Sequence, residues 1–182
     1  MEFIVTNHPE VLRVRPHVFG DNRGYFMETF RKEVFSQAGI DSEFVQDNQS
    51  SSTQWTLRGL HYQLNHTQGK LVRVVIGDIY DVAIDLRKSS KHFGKWAGAT
   101  LSAENKEQLW IPPGFAHGFL TLSEQADVVY KTTDYYDRES ERCIYWNDPD
   151  LGIDWPIPVG IQPIISEKDA AGLALINAEV FK

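Results

Sequence analysis

The feature that most constrains the fold is a long series of short apolar and β-branched segments, which occupies the chain from Leu57 onward. Turn formers separate most of these segments, among them Gly77-Asp78 and Pro112-Pro113-Gly114. Candidate strands lie at 57–63, 70–76, 79–86, 95–102, 107–111, 117–122, 127–136 and 142–146. Many short strands at this spacing are typical of an antiparallel sandwich or barrel, of which the jelly roll is one form.

The rest of the chain adds strands and two short predicted helices. The predicted elements are strands at 11–14, 17–19 and 25–30, a helix at 31–38, extended chain at 44–49 and a helix at 167–175. Ser50-Ser51-Ser52-Thr53 is predicted to be a polar connection. No repeat, low-complexity tract or linker divides the sequence, so residues 1–182 are expected to form one domain.

Composition narrows the classes of function. The net charge of −7 argues against non-specific binding to nucleic acid, although a local basic pocket is compatible with it. A single cysteine, Cys143, excludes an internal disulfide framework and a cysteine-rich zinc site. The start, MEFIVTNHPE, lacks a basic segment followed by an apolar one, and no apolar run is long enough to span a bilayer. We therefore expect a soluble, cytoplasmic protein that binds neither nucleic acid nor membrane.

The stretch RGLHYQ at 58–63 is where we expect the chemistry. Because strand side chains alternate between faces, Arg58 and His61 should lie on opposite faces. A lone strand histidine suits general acid–base catalysis, since its unperturbed pKa of about 6.5 lies near operating pH, and a satisfied core histidine is the alternative. Cations such as Arg58 and Lys70 are seldom buried beside apolar strands without a partner, which favours a pocket for an anionic ligand.

The histidine spacing does not support a metal site. Metal-binding barrels of this kind usually present His-x-His followed by a glutamate, because one strand face then supplies two imidazoles and a carboxylate. Here Tyr62 and Gln63 follow His61, while His66 falls in a polar loop and His117 stands alone. The sequence therefore predicts no bound metal.

Two further segments contain candidate residues whose roles the pattern leaves open. Tyr130 is either a packing residue with its hydroxyl at the rim, or a proton donor or stacking surface. Ser166 and Asp169 form a capping-box pattern with Asp in place of Glu, in which Asp169 is structural. In the alternative, Asp169 hydrogen-bonds a histidine and fixes its tautomer.

Taken together and in order, the motifs of this chain resemble those of the dTDP-4-dehydrorhamnose 3,5-epimerase family. They include VFGD at 18–21, FVQDN at 44–48, RGLH at 58–61, GKLVR at 69–73, DVAIDLR at 81–87, GFAHGF at 114–119, DYY at 134–136 and KDAA at 168–171. The resemblance runs essentially end to end. It implies an all-β, cupin-type jelly roll (a double-stranded β-helix) with a few short peripheral helices and no metal or other cofactor. It also implies a homodimer whose subunits exchange an N-terminal segment.

The activity that this resemblance implies is epimerisation at C3 and C5 of dTDP-4-dehydro-6-deoxy-D-glucose. A C4 ketone acidifies the hydrogens on both neighbouring carbons, so the reaction needs a base, an acid on the opposite face and a cation near the developing oxyanion. The resemblance assigns the base to His61, the acid to Tyr130, the cation to Lys70 and the carboxylate that pairs with the catalytic histidine to Asp169.

The same resemblance assigns the substrate contacts. Arg58 corresponds to a diphosphate contact, where a planar guanidinium suits bidentate binding, and Tyr136 to a ring stacked on the thymine. The other substrate-binding positions are Arg23, Glu28, Gln46, Asn48, His117, Glu141 and Lys168. Of these, Arg23 and Glu28 are expected to act in the neighbouring subunit's site. A single-carbon epimerase and a non-catalytic sugar-nucleotide-binding barrel are the alternative functions.

Overall fold

The structure, a computed structural model, describes all residues from Met1 to Lys182. The strands are β1 (Glu2–Val5), β2 (Leu12–Arg15), β3 (Val18–Asp21), β4 (Gly24–Met27), β5 (Gln46–Thr53), β6 (Leu57–Gln63), β7 (Lys70–Ile76), β8 (Asp78–Asp85), β9 (Trp96–Ser102), β10 (Gln108–Ile111), β11 (Phe115–Thr121), β12 (Gln125–Thr132) and β13 (Glu141–Cys143). The helices are α1 (Lys32–Gln37), α2 (Glu167–Ala170) and a 3₁₀ turn at Leu175–Asn177. No helix combines the length and the apolar character that crossing a membrane requires.

Two antiparallel sheets pack face to face and form the jelly roll. Six strands make one sheet, in the order β1-β2-β10-β7-β12-β5, and five make the other, in the order β13-β6-β11-β8-β9. Because successive strand side chains point to opposite faces, each sheet directs every second apolar residue inward. Val72 and Val128 of the first sheet thus meet Ile79 and Phe119 of the second in one buried cluster. The all-β jelly roll expected from the sequence is confirmed.

Additional segments cover the outer faces of both sheets. Phe35 of α1 packs in a cluster with Trp110 of β10, outside the six-stranded sheet. On the five-stranded sheet, Leu60 of β6 belongs to a cluster with Trp155, which comes from the long segment after β13. These layers leave strands β6 and β7 buried on both sides along most of their length, which fixes the side chains that they direct into the interior.

A separate hairpin of β3 and β4 pairs with neither main sheet. Its strands pair only with each other, from Val18 opposite Met27 to Asp21 opposite Gly24. Large apolar side chains on this hairpin are exposed, with Phe26 at 71% and Phe19 at 59% of their full accessibility. An exposed apolar surface of this kind marks a contact site for another molecule.

The prediction that 50–53 is a polar connection was wrong. These residues are the second half of β5, which pairs with β12 along its whole length, from Gln46 opposite Thr132 to Thr53 opposite Gln125. β5 is the edge strand of its sheet, and its even-numbered residues are more covered than its odd-numbered ones. The inward residues of β5 are polar because they face a cleft, and this removed the apolar alternation expected of a strand.

Other predicted boundaries were too long. The strand predicted to reach residue 30 ends at Met27, and the carbonyl of Thr29 accepts a hydrogen bond from the Gln108 side chain instead of a strand partner. The helix predicted over 167–175 ends at Ala170, because the chain turns at Gly172 to pair Leu173 with Ile144. The strands predicted at 127–136 and 142–146 end at residues 132 and 143, and β1 was not predicted.

Candidate active site

A cleft between the two sheets brings together most of the predicted site residues. It consists of two adjoining cavities of about 270 and 300 Å³, which share His61, Lys70 and Tyr130. The predicted site residues that line the cleft are His61, Lys70, Tyr130, Asp169, Gln46, Asn48, Arg58, His117, Tyr136, Glu141 and Lys168. They come from both sheets, from the loop before β13 and from α2, so the fold of the whole chain is needed to assemble them.

His61 and Asp169 form a hydrogen-bonded pair at one side of the cleft. The distance from His61 Nε2 to Asp169 Oδ1 is 2.6 Å, and the Asp169 side chain is 5% exposed. The backbone N–H of Gly59 donates to the other carboxylate oxygen over 3.2 Å. Although burial disfavours its charge, the hydrogen bond from His61 holds the pKa of Asp169 below its usual range. Asp169 is therefore ionised and accepts the Nε2 proton, which leaves Nδ1 as the basic nitrogen of His61.

The Ser166–Asp169 segment combines the two predicted alternatives, a helix cap and a carboxylate that is hydrogen-bonded to a histidine. Ser166 caps α2, since its hydroxyl oxygen accepts a hydrogen bond from the Asp169 backbone N–H over 3.1 Å. The Asp169 carboxylate does not close the capping box; it binds His61 and Gly59 N–H. The short helix thus presents Asp169 to the cleft.

Arg58 and His61 lie on the same face of β6, which corrects the prediction that they face apart. β6 pairs with β11 as His61 opposite His117 and Arg58 opposite Phe119, so three steps along β6 match two along β11. This extra residue is a β-bulge, and it reverses the alternation between Arg58 and His61. Both side chains therefore line the cleft.

Tyr130 and Lys70 approach the cleft from the sheet opposite His61, on adjacent strands β12 and β7. Burial raises the pKa of Tyr130, so its phenol stays protonated and is able to donate a proton. Burial lowers the pKa of Lys70 to about 8, while the charges of Asp81 and Glu141 act in the other direction. Near neutral pH, Lys70 is still predominantly a cation.

His117 is held by a buried carboxylate that the sequence reasoning missed. Its Nε2 lies 2.9 Å from Oδ2 of Asp81, a residue with 0% exposure. Burial lowers the pKa of His117 despite the opposing charge of Asp81, so the neutral imidazole donates to that carboxylate. A carboxylate inside an apolar strand needs a partner, and Asp81 within DVAID was a signal that could have identified this pair.

The rim of the cleft is a polar network built around Glu141. Tyr136 donates its phenolic hydrogen to Glu141 over 2.7 Å, and Lys168 forms a salt bridge with the same carboxylate. On β5, the Gln46 side-chain amide donates to Asn48 over 2.9 Å. Tyr136 is 53% exposed, so its side chain is accessible at the rim.

The guanidinium of Arg58 has no carboxylate partner. It donates to the Ser52 hydroxyl over 2.9 Å and to the Ser51 carbonyl over 3.1 Å, both neutral acceptors on β5. Lys70 also forms no salt bridge, and both line the cavity that Lys168 borders. Two uncompensated cations at one end of a cleft favour an anionic group there.

Arg23 and Glu28 lie outside the cleft. Arg23 is on the exposed β3–β4 hairpin and forms a salt bridge with Asp21, while Glu28 pairs with Arg31. Within one chain, the structure does not bring these two predicted substrate contacts to the other site residues.

Cys143 is a further side chain near the site that the sequence reasoning did not select. It lies opposite His61 in the pairing of β13 with β6, and burial raises the pKa of its thiol to about 12. His61, Cys143 and Asp169 are the residues that could hold a metal, because their ligand atoms all lie within 4.8 Å of one another. Two strands and a helix that are far apart in sequence bring them together, so no spacing motif revealed the group.

The arrangement is suited to proton transfer on both faces of a bound molecule. The imidazole of His61, backed by a carboxylate, faces the phenol of Tyr130 across the cleft, and the buried cation Lys70 lies beside them. Such a set can remove a proton next to a carbonyl, stabilise the resulting enolate and return a proton from the other side.

Comparisons with known proteins identify related enzymes. The family model for dTDP-4-dehydrorhamnose 3,5-epimerase matches residues 5–177. The dTDP-4-dehydrorhamnose 3,5-epimerase of Shigella flexneri is 54% identical over 183 residues, which cover 100% of this chain and 99% of the relative. The enzyme of the same name from Neisseria gonorrhoeae is 55% identical over 98% of this chain, but the chain spans only 54% of that relative's length.

A solved structure extends the likeness to the fold. The dTDP-6-deoxy-D-glucose-3,5-epimerase of Legionella pneumophila, in complex with dTDP-4-keto-L-rhamnose, superposes with a TM-score of 0.94 at 49% identity. The match covers 98% of this chain and 94% of the Legionella chain. The chain therefore belongs to the dTDP-4-dehydrorhamnose 3,5-epimerase family.

Proposed function

We propose that this protein is an isomerase that converts dTDP-4-dehydro-6-deoxy-D-glucose to dTDP-4-dehydro-L-rhamnose by epimerising C3 and C5. The observation that carries the proposal is the His61–Asp169 pair, which faces Tyr130 across a cleft that also holds Lys70. The family membership and the nucleotide sugar bound by the Legionella relative support the same substrate class.

In the proposed mechanism, Nδ1 of His61 takes the proton from C3 or C5, and the electron pair moves through the carbonyl to leave an enolate on O4. Lys70 stabilises that oxyanion with its ammonium group. Asp169 is a positioning residue, since it fixes the tautomer of His61 and stabilises the imidazolium that forms.

The second half of each epimerisation is proton return. Tyr130 donates its phenolic proton to the opposite face of the enolate carbon, which inverts the centre and restores the ketone. Exchange with water then removes the proton from His61 and returns one to Tyr130, so solvent hydrogen enters the product. Repetition at the second carbon completes the reaction without any cofactor.

The nucleotide end of the cleft is assigned to the remaining polar residues. Arg58, with Lys168 nearby, binds the diphosphate, since its guanidinium is held toward the cleft by neutral acceptors only. The exposed ring of Tyr136 stacks on the thymine, and Gln46 and Asn48 bind the nucleotide. His117 contacts the substrate deeper in the cleft, and Glu141 contacts it at the rim.

We also propose that the active form is a homodimer in which the β3–β4 hairpin lies on the partner subunit. Its exposed Phe19 and Phe26 supply an apolar contact surface, and Arg23 and Glu28 lie beside it, away from their own subunit's cleft. Exchange of the hairpin would bring both residues to the partner's site. Residues 1–182 then act as one domain per subunit, in the cytoplasm.

The experiment that tests the function is incubation of the protein with dTDP-4-dehydro-6-deoxy-D-glucose in deuterated water, followed by NMR of C3 and C5. Deuterium at both carbons with inversion is the expected result. Deuterium at one carbon would replace the proposal with a single-carbon epimerase. Binding of the nucleotide sugar with no deuterium at either carbon would indicate a non-catalytic binding barrel.

A further inference from the structure

Cys143 has no part in the proposed mechanism, yet its thiol lies beside the base. Cys143 on β13 and His61 on β6 are directly opposite each other in an antiparallel pair, and Asp169 on α2 closes the group. The thiol sulfur, an imidazole nitrogen and a carboxylate oxygen all lie within 4.8 Å of one another. Three chemically different metal ligands thus converge beside the cleft, and two of them, His61 and Asp169, line it.

The ligand set matches one class of ion. Zn²⁺ and similar thiophilic cations bind thiolate, imidazole and carboxylate at about 2.0–2.3 Å, which places tetrahedral ligands about 3.5 Å apart. Nε2 and Oδ1 are 2.6 Å apart and all three ligand atoms lie within 4.8 Å of one another, so the required separation falls within the range that they already span. Mg²⁺ prefers oxygen ligands alone, so the thiol selects against it.

The surroundings favour a site with one open position. The Gly59 N–H and the Ser166 cap hold Asp169 in place, as outer hydrogen bonds do in metal sites. The His61 side chain is 29% exposed, which gives an ion a path from the cleft. Three protein ligands with solvent in the fourth position are the arrangement that zinc adopts in open sites.

We propose that His61, Cys143 and Asp169 form a binding site for a thiophilic divalent cation such as Zn²⁺, and that its occupancy inhibits the enzyme. Bonds form from the cation to Nε2, Sγ and Oδ1, and the thiol proton leaves to solvent. The Nε2 proton relocates to Nδ1, so the imidazole no longer has a free lone pair. The site itself is independent of the proposed function, whereas the inhibition rests on His61 being the base.

Cadmium titration of the intact protein tests the site directly, because a thiolate–metal bond adds an ultraviolet charge-transfer band. We expect one Cd²⁺ per chain with this band in the wild type, and no band in folded Cys143→Ser or Cys143→Ala. The affinity should fall more than about 100-fold in both variants. His66→Ala is the matched control, since it removes an exposed imidazole outside the site and should bind as the wild type does.

Inhibition is measured in the same samples. Zn²⁺ should stop proton exchange in the wild type, EDTA should restore it, and Mg²⁺ should have no effect. The cysteine variants should keep basal exchange and resist Zn²⁺. Absence of the thiolate band in the wild type, or an unchanged affinity for Cd²⁺ in both cysteine variants, would overturn the site. A band without loss of exchange would confirm the site and overturn its inhibitory role.

Discussion

Burial sets the protonation states of single residues in the cleft. The phenol of Tyr130 and the ammonium of Lys70 are both desolvated, which raises one pKa and lowers the other. The phenol thereby remains a proton donor near neutral pH, while Lys70 is a cation whose charge is unfavourable in the folded protein. Each property predicts the behaviour of a variant.

Tyr130→Phe should separate proton removal from inversion. The phenyl ring keeps the packing against the core cluster but has no proton to deliver. We expect C3 and C5 hydrogens to exchange with deuterated water, while formation of the inverted product falls by about 10²–10⁴-fold. NMR of the recovered sugar nucleotide measures both rates, and inversion at the wild-type rate would exclude Tyr130 as the acid.

Lys70→Met should stabilise the protein and inactivate it. The pKa of Lys70 is lowered from 10.5 to about 8, so removal of its charge should add up to about 3 kcal/mol of stability at neutral pH. Between about pH 8 and pH 10.5, Lys70 binds fewer protons in the folded protein than in the unfolded chain. Wild-type stability should therefore rise from about pH 8 to pH 10.5, with the full penalty present below pH 8.

Urea unfolding across this pH range measures the effect, with Lys88→Met as the control because Lys88 is exposed. The stability gain of Lys70→Met should shrink as pH rises, and activity should fall by about 10²–10³-fold because the oxyanion loses its cation. A variant no more stable than the wild type at pH 7 would show that the buried charge carries no net penalty.

At the scale of elements, the bulge in β6 decides which side chains reach the cleft. Gly59 occupies it with φ at +114°, and its backbone lies against β11. A Cβ added there would lie 2.6 Å from Gly118 Cα and 2.7 Å from the His117 carbonyl oxygen. Only glycine permits this approach, so a glycine within RGLH is what keeps Arg58 and His61 on one face.

Gly59→Ala should destabilise the fold by about 2–3 kcal/mol and impair diphosphate binding. The control is Gly160→Ala, which also has positive φ, at +88°, but has no neighbouring atom within 4 Å of an added Cβ. That control should lose only about 1 kcal/mol. Thermal unfolding and dTDP titration measure the two effects, and equal losses in both variants would refute the close contact as the cause.

The limits of individual strands show which elements could be predicted from the sequence. Strands β6 and β7 were predicted with their observed limits, because an apolar run bounded by turn residues has few other interpretations. β5 was only half predicted, since its inward side chains serve the cleft and are polar. The bulge in β6 places Arg58 on the face opposite to the predicted one. The prediction was wrong because the alternation of side chains within one strand does not show how that strand pairs with its neighbour.

At the scale of the whole molecule, the chain is acidic, but several cationic side chains lie together around one cavity. The net charge is −7, yet Arg58, Lys70 and Lys168 border one cavity. Overall composition therefore says nothing about the position of the basic pocket. That pocket is formed by contacts between strands and α2. Its residues were identified in the sequence by the order of the family motifs, and the periodicity of apolar residues did not reveal them.

The proposed exchange of the β3–β4 hairpin predicts complementation between two inactive variants. Arg23→Ala lacks a hairpin contact, and His61→Asn lacks the base. In a mixed dimer, the cleft of the first variant and the hairpin of the second form one intact site. Random pairing should thus restore about a quarter of wild-type activity.

Co-expression with two affinity tags isolates the mixed dimers for this assay. Each variant alone should be at least about 10-fold less active than the wild type, and the purified mixed dimer should have about half of the wild-type activity. Mixed dimers no more active than their parents would place Arg23 in its own subunit's site.

The proposed function requires His61 to be the base for both carbons, and one measurement tests this role most directly. The rates at which C3–H and C5–H of dTDP-4-dehydro-6-deoxy-D-glucose exchange in deuterated water are followed by NMR for the wild type and for folded His61→Asn. We expect exchange at both carbons in the wild type, and a fall at both by about 10²–10⁴-fold in the variant. Exchange that persists at either carbon in the folded variant would contradict the account.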